Sequence, residues 1–251
     1  MRASGTLPEI SRPLLRFFGA YATNYLGRHF HAVRVLGTAR APNELGKPLV
    51  IFLNHAAWWD PLVCLFLARR FFPNRRAYGP IEATALERYR FFKRLGIFPV
   101  ESGTTRGAAQ FLRASRAILE RPESALFLTP QGKFADVRTP LALAPGIEHL
   151  AAHAPEALFV PLAIEYPFWE ERQPEVLLAF GRARPGGDGD SLTQRLAATQ
   201  LMLAGAAQCR LPNEWQVLHR GKGGVSVPYD LSRRIRARLR GEAFHLDHSS
   251  L

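Results

Sequence analysis

The run Leu49-Val50-Ile51-Phe52-Leu53, followed at once by Asn54, His55 and Asp60, constrains this chain more than any other stretch. Five apolar residues without alternation read as a strand buried on both faces, and that demands helices on either side of a sheet. Such a strand hands its next residues to a loop at the sheet edge, where an α/β fold places its chemistry. His55 and Asp60 stand five positions apart in that loop. A neutral imidazole can take a proton from an alcohol, while a carboxylate holds the ring in one tautomer and stabilises the imidazolium that forms. Asp60 has a second reading. It precedes Pro61 and an apolar run, the pattern of an N-cap with proline in the first turn. The two readings are compatible, because a cap leaves a carboxylate oxygen free.

The rest of the pattern repeats the alternation. Strands are expected at 33–36, 49–53, 77–82, 97–100, 125–129, 158–165 and 175–180, and helices near 61–71, 84–94, 104–120, 145–153 and 191–207. This order predicts an α/β fold with a central, mostly parallel sheet flanked by helices. Before it, residues 8–31 read as an amphipathic helix whose apolar positions include Ile10, Leu14, Phe17, Phe18, Tyr21 and Tyr25. Ser11 is placed to cap it. The expected organisation is a membrane-associating helix at 1–32, the α/β domain at 33–207 and a basic extension at 208–251. In the extension, Leu231, Ile235 and Leu239 share one face of a helix whose other faces are arginine. Gly221-Lys222-Gly223-Gly224 lacks P-loop spacing and reads as a plain loop.

Lysine and arginine number 33 against 21 acidic residues, a formal charge of +12. The charge clusters around residues 69–76, 88–94 and 233–240, which suits an anionic bilayer, acidic acyl carrier protein or the phosphates of coenzyme A. No zinc-finger, RNP or helix-turn-helix pattern accompanies it, so nucleic acid is not an expected partner. Two cysteines, Cys64 and Cys209, form no disulfide framework and no C-x-x-C pair. His149 and His153 lack a third ligand, and no metal is expected. Arg12, Arg16 and Arg28 interrupt the first apolar stretch, so no signal peptide is expected. No window is apolar enough for a spanning helix. The expected location is the cytoplasmic face of a membrane, peripheral or monotopic. No G-x-S-x-G elbow occurs and Cys64 reads as a small core residue, so no covalent intermediate on an enzyme nucleophile is expected.

Four segments in order resemble the glycerolipid acyltransferases, the family that includes lysophosphatidic acid acyltransferase. Asn54-His55-x4-Asp60-Pro61 matches the first motif, and Gly96-Ile97-Phe98-Pro99-Val100-Glu101-Ser102 is similar to G-x-F-P-V-D-R. Phe127-Leu128-Thr129-Pro130-Gln131-Gly132 resembles F-P-E-G-T-R, and Val160-Pro161 the fourth motif. Glu82 stands where the family has K-x-E-L. The resemblance implies an O-acyltransferase with no tightly bound cofactor. It would move an acyl group from acyl-CoA or acyl-carrier protein to a lipid hydroxyl, with His55 and Asp60 catalytic. It also places Asn54, Trp58, Trp59, Glu82, Ser102, Gln131, Gly132, Lys133, Val160 and Pro161 around the substrate.

The departures bear on the acceptor. Where the family's second and third motifs carry arginines that hold the acceptor phosphate, this chain has Ser102 and Phe134. Gln131 replaces a glutamate, and Pro80 a lysine. A phosphate would lose charge-assisted bonds there, each about 1.5–3 kcal/mol. Arg106, Lys133 and Arg138 remain candidate phosphate contacts from shifted positions. A neutral hydroxylated acceptor fits the changes better: Gln131 can bond a sugar hydroxyl, and Trp58-Trp59 can stack on a sugar or flank an acyl chain. Both tryptophans have an equally ordinary reading as core or membrane-facing aromatics. The Pro-Gln-Gly form of the third motif resembles acyltransferases that esterify glycosylated carotenoids. Lysophosphatidic acid acylation, a thioesterase and a non-catalytic membrane-binding protein of the same fold are the alternatives.

Overall fold

The computed structural model describes residues 7–37, 46–221 and 235–240. The chain enters through α1 (Arg12–His29), lays down β1 (Ala32–Leu36) and β2 (Leu49–Leu53), and continues into α2 (Asp60–Phe71), β3 (Arg76–Glu82) and α3 (Ala83–Arg88). β4 (Ile97–Val100), α4 (Thr105–Leu119), β5 (Ser124–Leu128), α5 (Gly146–His153) and β6 (Leu158–Glu165) follow. β7 (Val176–Phe180), the short β8 (Arg184–Pro185), α6 (Leu192–Cys209) and β9 (Trp215–Arg220) come last. The strands form one sheet in the order β4-β3-β5-β2-β6-β7-β1-β9, with β8 on β6. β2, β3, β4, β5 and β6 run parallel, as do β1 and β7. The antiparallel pairs are β6–β7, β6–β8 and β1–β9.

β2, β5 and β7 are buried at every position, and β6 at all but its last, so both sheet faces are covered. On one face Ile51, Leu53, Val160 and Leu162 meet Leu26 and Phe30 at the end of α1 and Val63 and Leu67 of α2. On the other, Val50, Phe52, Leu126 and Phe159 meet Ile118, Leu150 and Leu196 from α4, α5 and α6. Each fully buried Leu, Val or Phe contributes on the order of 1.5–3 kcal/mol, which makes these central strands the rigid part of the molecule.

The expected helix over 84–94 is broken. α3 ends at Arg88, and Arg90–Leu95 is a 3-10 turn that stops at Gly96, whose φ is 86°. A Cβ at Gly96 would lie 2.4 Å from the carbonyl oxygen of Ala77, so only glycine brings this turn down beside β3. The turn carries Phe91 onto Phe18 of α1, a stacked pair at 5.1 Å.

α1 divides the two readings of its sequence between two faces. Gly19, Ala22, Leu26 and Gly27 are buried, while Phe17 and Tyr21 are 66% and 47% exposed. Ser11 occupies the N-cap position, but its hydroxyl makes no cap bond. Its carbonyl accepts from Leu15 N–H and its own N–H donates to Arg94. Among the described residues no helix is long and apolar enough to cross a membrane. Residues 235–240 are helical, with Ile235 and Leu239 exposed. Pro42, the glycine run from Lys222 to Gly224, Leu231, Arg233 and Arg234 lie outside the described residues.

Candidate active site

Because β2, β3, β4, β5 and β6 are parallel, the loops that leave their C-terminal ends gather along one sheet edge. β2 is registered so that Phe52 pairs with Leu128 of β5 and Leu53 with Leu162 of β6. The residues just after these strands therefore face one another. Asn54 extends the ladder with its side chain: its amide donates to Ile164 O and accepts from Ile164 N–H, both at 2.9 Å. It is 2% exposed, so both ends of the amide are spent pinning β2 to β6 instead of meeting a substrate.

The next residue is His55. Its N–H donates to Gln131 Oε1 at 2.7 Å and its carbonyl accepts from Ala135 N–H at 2.9 Å. The loop after β5 thus holds the His55 backbone on both sides. The imidazole Nδ1 lies 2.7 Å from Asp60 Oδ2. Asp60 does not cap α2. It is the first residue of the helix, with Trp59 in the cap position, and its carboxylate turns back into the site. Oδ2 also accepts from Ala57 N–H at 3.2 Å, and Oδ1 accepts from the Tyr166 hydroxyl at 2.6 Å. Asp60 is fully buried, and its oxygens are surrounded by donors. A carboxylate only accepts, so the Nδ1 facing it carries the proton and Nε2 keeps its lone pair. Nε2 has no hydrogen-bond partner among the described residues, and the ring retains 17% exposure. That leaves a base aimed outward from a buried support.

Two neighbours are kept out of acid–base work. Burial first, then the charge of Asp60, pushes the Tyr166 phenol well above its ordinary range, so it stays a donor. The same two causes, in the same order, raise the Cys64 thiol, which makes it a poor nucleophile.

The remaining expected site residues separate into near and far. The Phe134 ring lies 4.3 Å from the His55 ring and is 58% exposed, so it forms an apolar wall beside the imidazole. Gly132, at φ 67°, and Lys133 are exposed in the same loop. The carbonyl oxygen of Gln131 is committed to His55, leaving only its amide N–H₂ to offer. Trp58 is 54% exposed and stacks on Trp59 at 4.4 Å. Trp59 is anchored edge-on against Phe30 at 4.9 Å and meets Tyr25 at 5.5 Å, so it packs the loop onto α1.

Glu82 accepts from Ser102 N–H at 3.3 Å, tying the end of β3 to the turn after β4. Arg106 is exposed in the first turn of α4. Arg138 is bound through two nitrogens to Asp136, at 2.8 and 2.6 Å, which leaves less of it for a phosphate. Val160 is fully buried beside Ile51 and contributes to the sheet core alone. Pro161 faces Gly181 and lines an open cleft with Arg195 and Thr199 on the α6 side. These two shape the sheet beneath the site and are not part of its surface.

Sequence reading passed over Tyr166, 106 positions from Asp60. Tyr166 follows β6, and only the pairing of that strand with β2 brings it to the same edge. It also missed a buried charged group, Glu175, which binds the His31 imidazole and accepts from Arg34 Nε at 2.9 Å. Among the described residues no group of three or more His, Cys, Asp or Glu side chains is gathered as a metal site would need. His153 Nδ1 bonds to the carbonyl of His149.

No protein-family model matches the chain, and no curated protein matches its sequence. Solved structures do share its fold. One is the crystal structure of the 1-acyl-sn-glycerophosphate (LPA) acyltransferase PlsC from Thermotoga maritima, which superposes with a TM-score of 0.53 over 79% of each chain at 14% identity.

Proposed function

We propose that this protein is an O-acyltransferase that moves a fatty acyl group from acyl-CoA or acyl-carrier protein to the hydroxyl of a lipid acceptor. The observation that carries the reading is the His55–Asp60 pair, with Nδ1 held by a buried carboxylate and Nε2 open at the sheet edge. The shared fold with an LPA acyltransferase supports it. In this reading Nε2 takes the acceptor's hydroxyl proton as the oxygen attacks the thioester carbonyl. The tetrahedral intermediate then collapses, the carbon–sulfur bond breaks, and the departing thiolate takes up the proton. Asp60 steadies the ring while it is charged.

The acceptor is a neutral lipid bearing a free hydroxyl, a glycolipid or carotenoid glycoside being the chemical type. Support comes from the apolar Phe134 wall against His55 and the engagement of Arg138 with Asp136. A phosphate placed there would be desolvated with few charged donors in return. The exposed aromatic face of α1, with Phe91 beside it, would seat the protein on a membrane surface without spanning it.

The test is an acyl-transfer assay with radiolabelled acyl-CoA across phosphorylated and neutral acceptors, scoring both ester and free fatty acid. Ester on a neutral acceptor is the expected product. Free fatty acid alone would mean a thioesterase. Lysophosphatidic acid as the best acceptor by a wide margin would overturn the acceptor assignment and direct attention to Arg106 and Lys133.

A further inference from the structure

Asp60 Oδ1 has one hydrogen bond among the described residues, and it comes from Tyr166. The other oxygen takes both remaining donors, His55 Nδ1 and Ala57 N–H. A carboxylate can turn about its last side-chain bond, and without the tyrosine only the two bonds to Oδ2 and the surrounding packing would hold the plane of the group. At 2.6 Å the Tyr166 hydroxyl fixes it. The tyrosine is itself held: its ring meets Phe30 at 5.5 Å, and Phe30 packs edge-on to Trp59, the residue just before Asp60.

We infer that Tyr166 is the third member of a His55–Asp60–Tyr166 relay, a positioning residue that sets the orientation of the Asp60 carboxylate and thereby how strongly His55 holds its proton. This rests on the acyl-transfer reading for its kinetic consequences, but not for its chemical ones. The hydroxyl draws negative charge from Oδ1. Without it the carboxylate keeps more charge toward Nδ1, stabilises the imidazolium more, and the ring takes up a proton at higher pH. The misoriented carboxylate also serves the transition state less well. Among the described residues the other ionisable side chain facing Asp60 is Cys64, one turn along α2, a thiol that burial keeps neutral. Glu165, which precedes Tyr166, carries a carboxyl raised by burial and opposed by Arg138.

The experiment is Tyr166→Phe in the full-length protein, which removes one oxygen and keeps the ring that packs on Phe30. Two measurements are made. In the first, NMR follows the His55 imidazole through a pH titration without substrate. In the second, kcat and KM are determined across pH with whichever acceptor the wild type uses. The titration midpoint and the acid limb of kcat/KM should both move to higher pH, by roughly half a unit to one unit. At the optimum kcat should fall about ten- to hundredfold, the scale of a hydrogen bond to a charged group, with KM little changed.

A 3,5-difluorotyrosine placed at 166 is a stronger donor of nearly the same shape and should shift the midpoint the opposite way. It decides the matter if the phenylalanine variant does not fold. A His55 midpoint unmoved by both changes, or a loss confined to KM, overturns the inference. Wild-type protein that transfers no acyl group to any acceptor would sink the proposed function instead. The titration shift would still stand or fall on its own.

Discussion

His55 is fixed through its backbone by Gln131 and Ala135 and through its ring by Asp60, a rigidity with no structural benefit obvious for a partly exposed histidine. It does suit a base that must meet its substrate in one geometry. His55→Ala should therefore abolish acyl transfer with the circular dichroism spectrum unchanged, while loss of the Nδ1 donor to buried Asp60 should lower the melting temperature by a few degrees. Asp60→Asn should lower the rate by about 10⁴-fold, because an amide can present a donor to Nδ1 and hold the wrong tautomer. Normal turnover by purified His55→Ala protein would end the general-base assignment. Asn54 behaves in the opposite way. Asn54→Ala leaves Ile164 N–H and C=O unpaired in the core, and urea unfolding should show a loss of about 2–4 kcal/mol. At this scale legibility followed distance along the chain. His55 and Asp60 were readable because one loop carries both. Tyr166 was not, because only the pairing of β6 with β2 brings it across.

At the scale of elements, α1 shows why one helix supported two readings. Ala22 and Leu26 are fully buried, so removing the first 31 residues would open the core and report on folding instead of attachment. Paired Phe17→Glu and Tyr21→Glu changes sit on the exposed face and cost only the ring contacts with Phe18 and Tyr25. They should leave the melting temperature within a few degrees and greatly reduce sedimentation with phospholipid vesicles. Sedimentation equal to wild type would remove α1 from the membrane contact. α4 offers a stability test. Thr104 caps it by accepting from Gly107 N–H at 2.9 Å, and a Cβ on Gly107 would fall 1.8 Å from the Glu101 carbonyl oxygen. Gly107→Ala must push the turn away from β4 and should cost about 1–3 kcal/mol in thermal or urea unfolding. The buried parallel strands were legible because short unbroken apolar runs of β-favouring residues fit strands covered on both faces. β9 was not: Trp215–Arg220 mixes polar and apolar residues and gains strand character by pairing with β1 at the sheet edge. The helix over 84–94 failed because Gly96 allows a closure beside β3 that helical periodicity does not register.

Across the whole molecule the formal charge is +12, and among the described residues several exposed cations lie near one aromatic surface. Arg88, Arg90, Lys93 and Arg94 are exposed on α3 and the turn that follows, beside Phe91. Phe91 stacks on Phe18 of α1, where Arg12 and Arg16 are exposed as well. Cations therefore border the same aromatic surface whose far end, at Tyr25 and Trp59, abuts the loop that carries His55. If the protein sits on a bilayer by this surface, as proposed, an acceptor lipid would reach the loop that carries His55. Two forces of different character act there. Insertion of aromatic rings depends weakly on salt. Attraction of lysine and arginine to anionic headgroups is worth about 1 kcal/mol per residue near the surface and decays over a Debye length. That length shrinks from about 10 Å at 0.1 M salt to about 3 Å at 1 M. Binding to vesicles rich in anionic lipid should accordingly fall steeply over this range, whereas weaker binding to zwitterionic vesicles should hardly change. The Phe17→Glu, Tyr21→Glu protein should lose the salt-independent part, and neutralising Arg88, Arg90, Lys93 and Arg94 together should lose the salt-dependent part. If wild-type binding to anionic vesicles is indifferent to salt, the cations are a solvated surface with no part in attachment, and the aromatic face alone has to account for it.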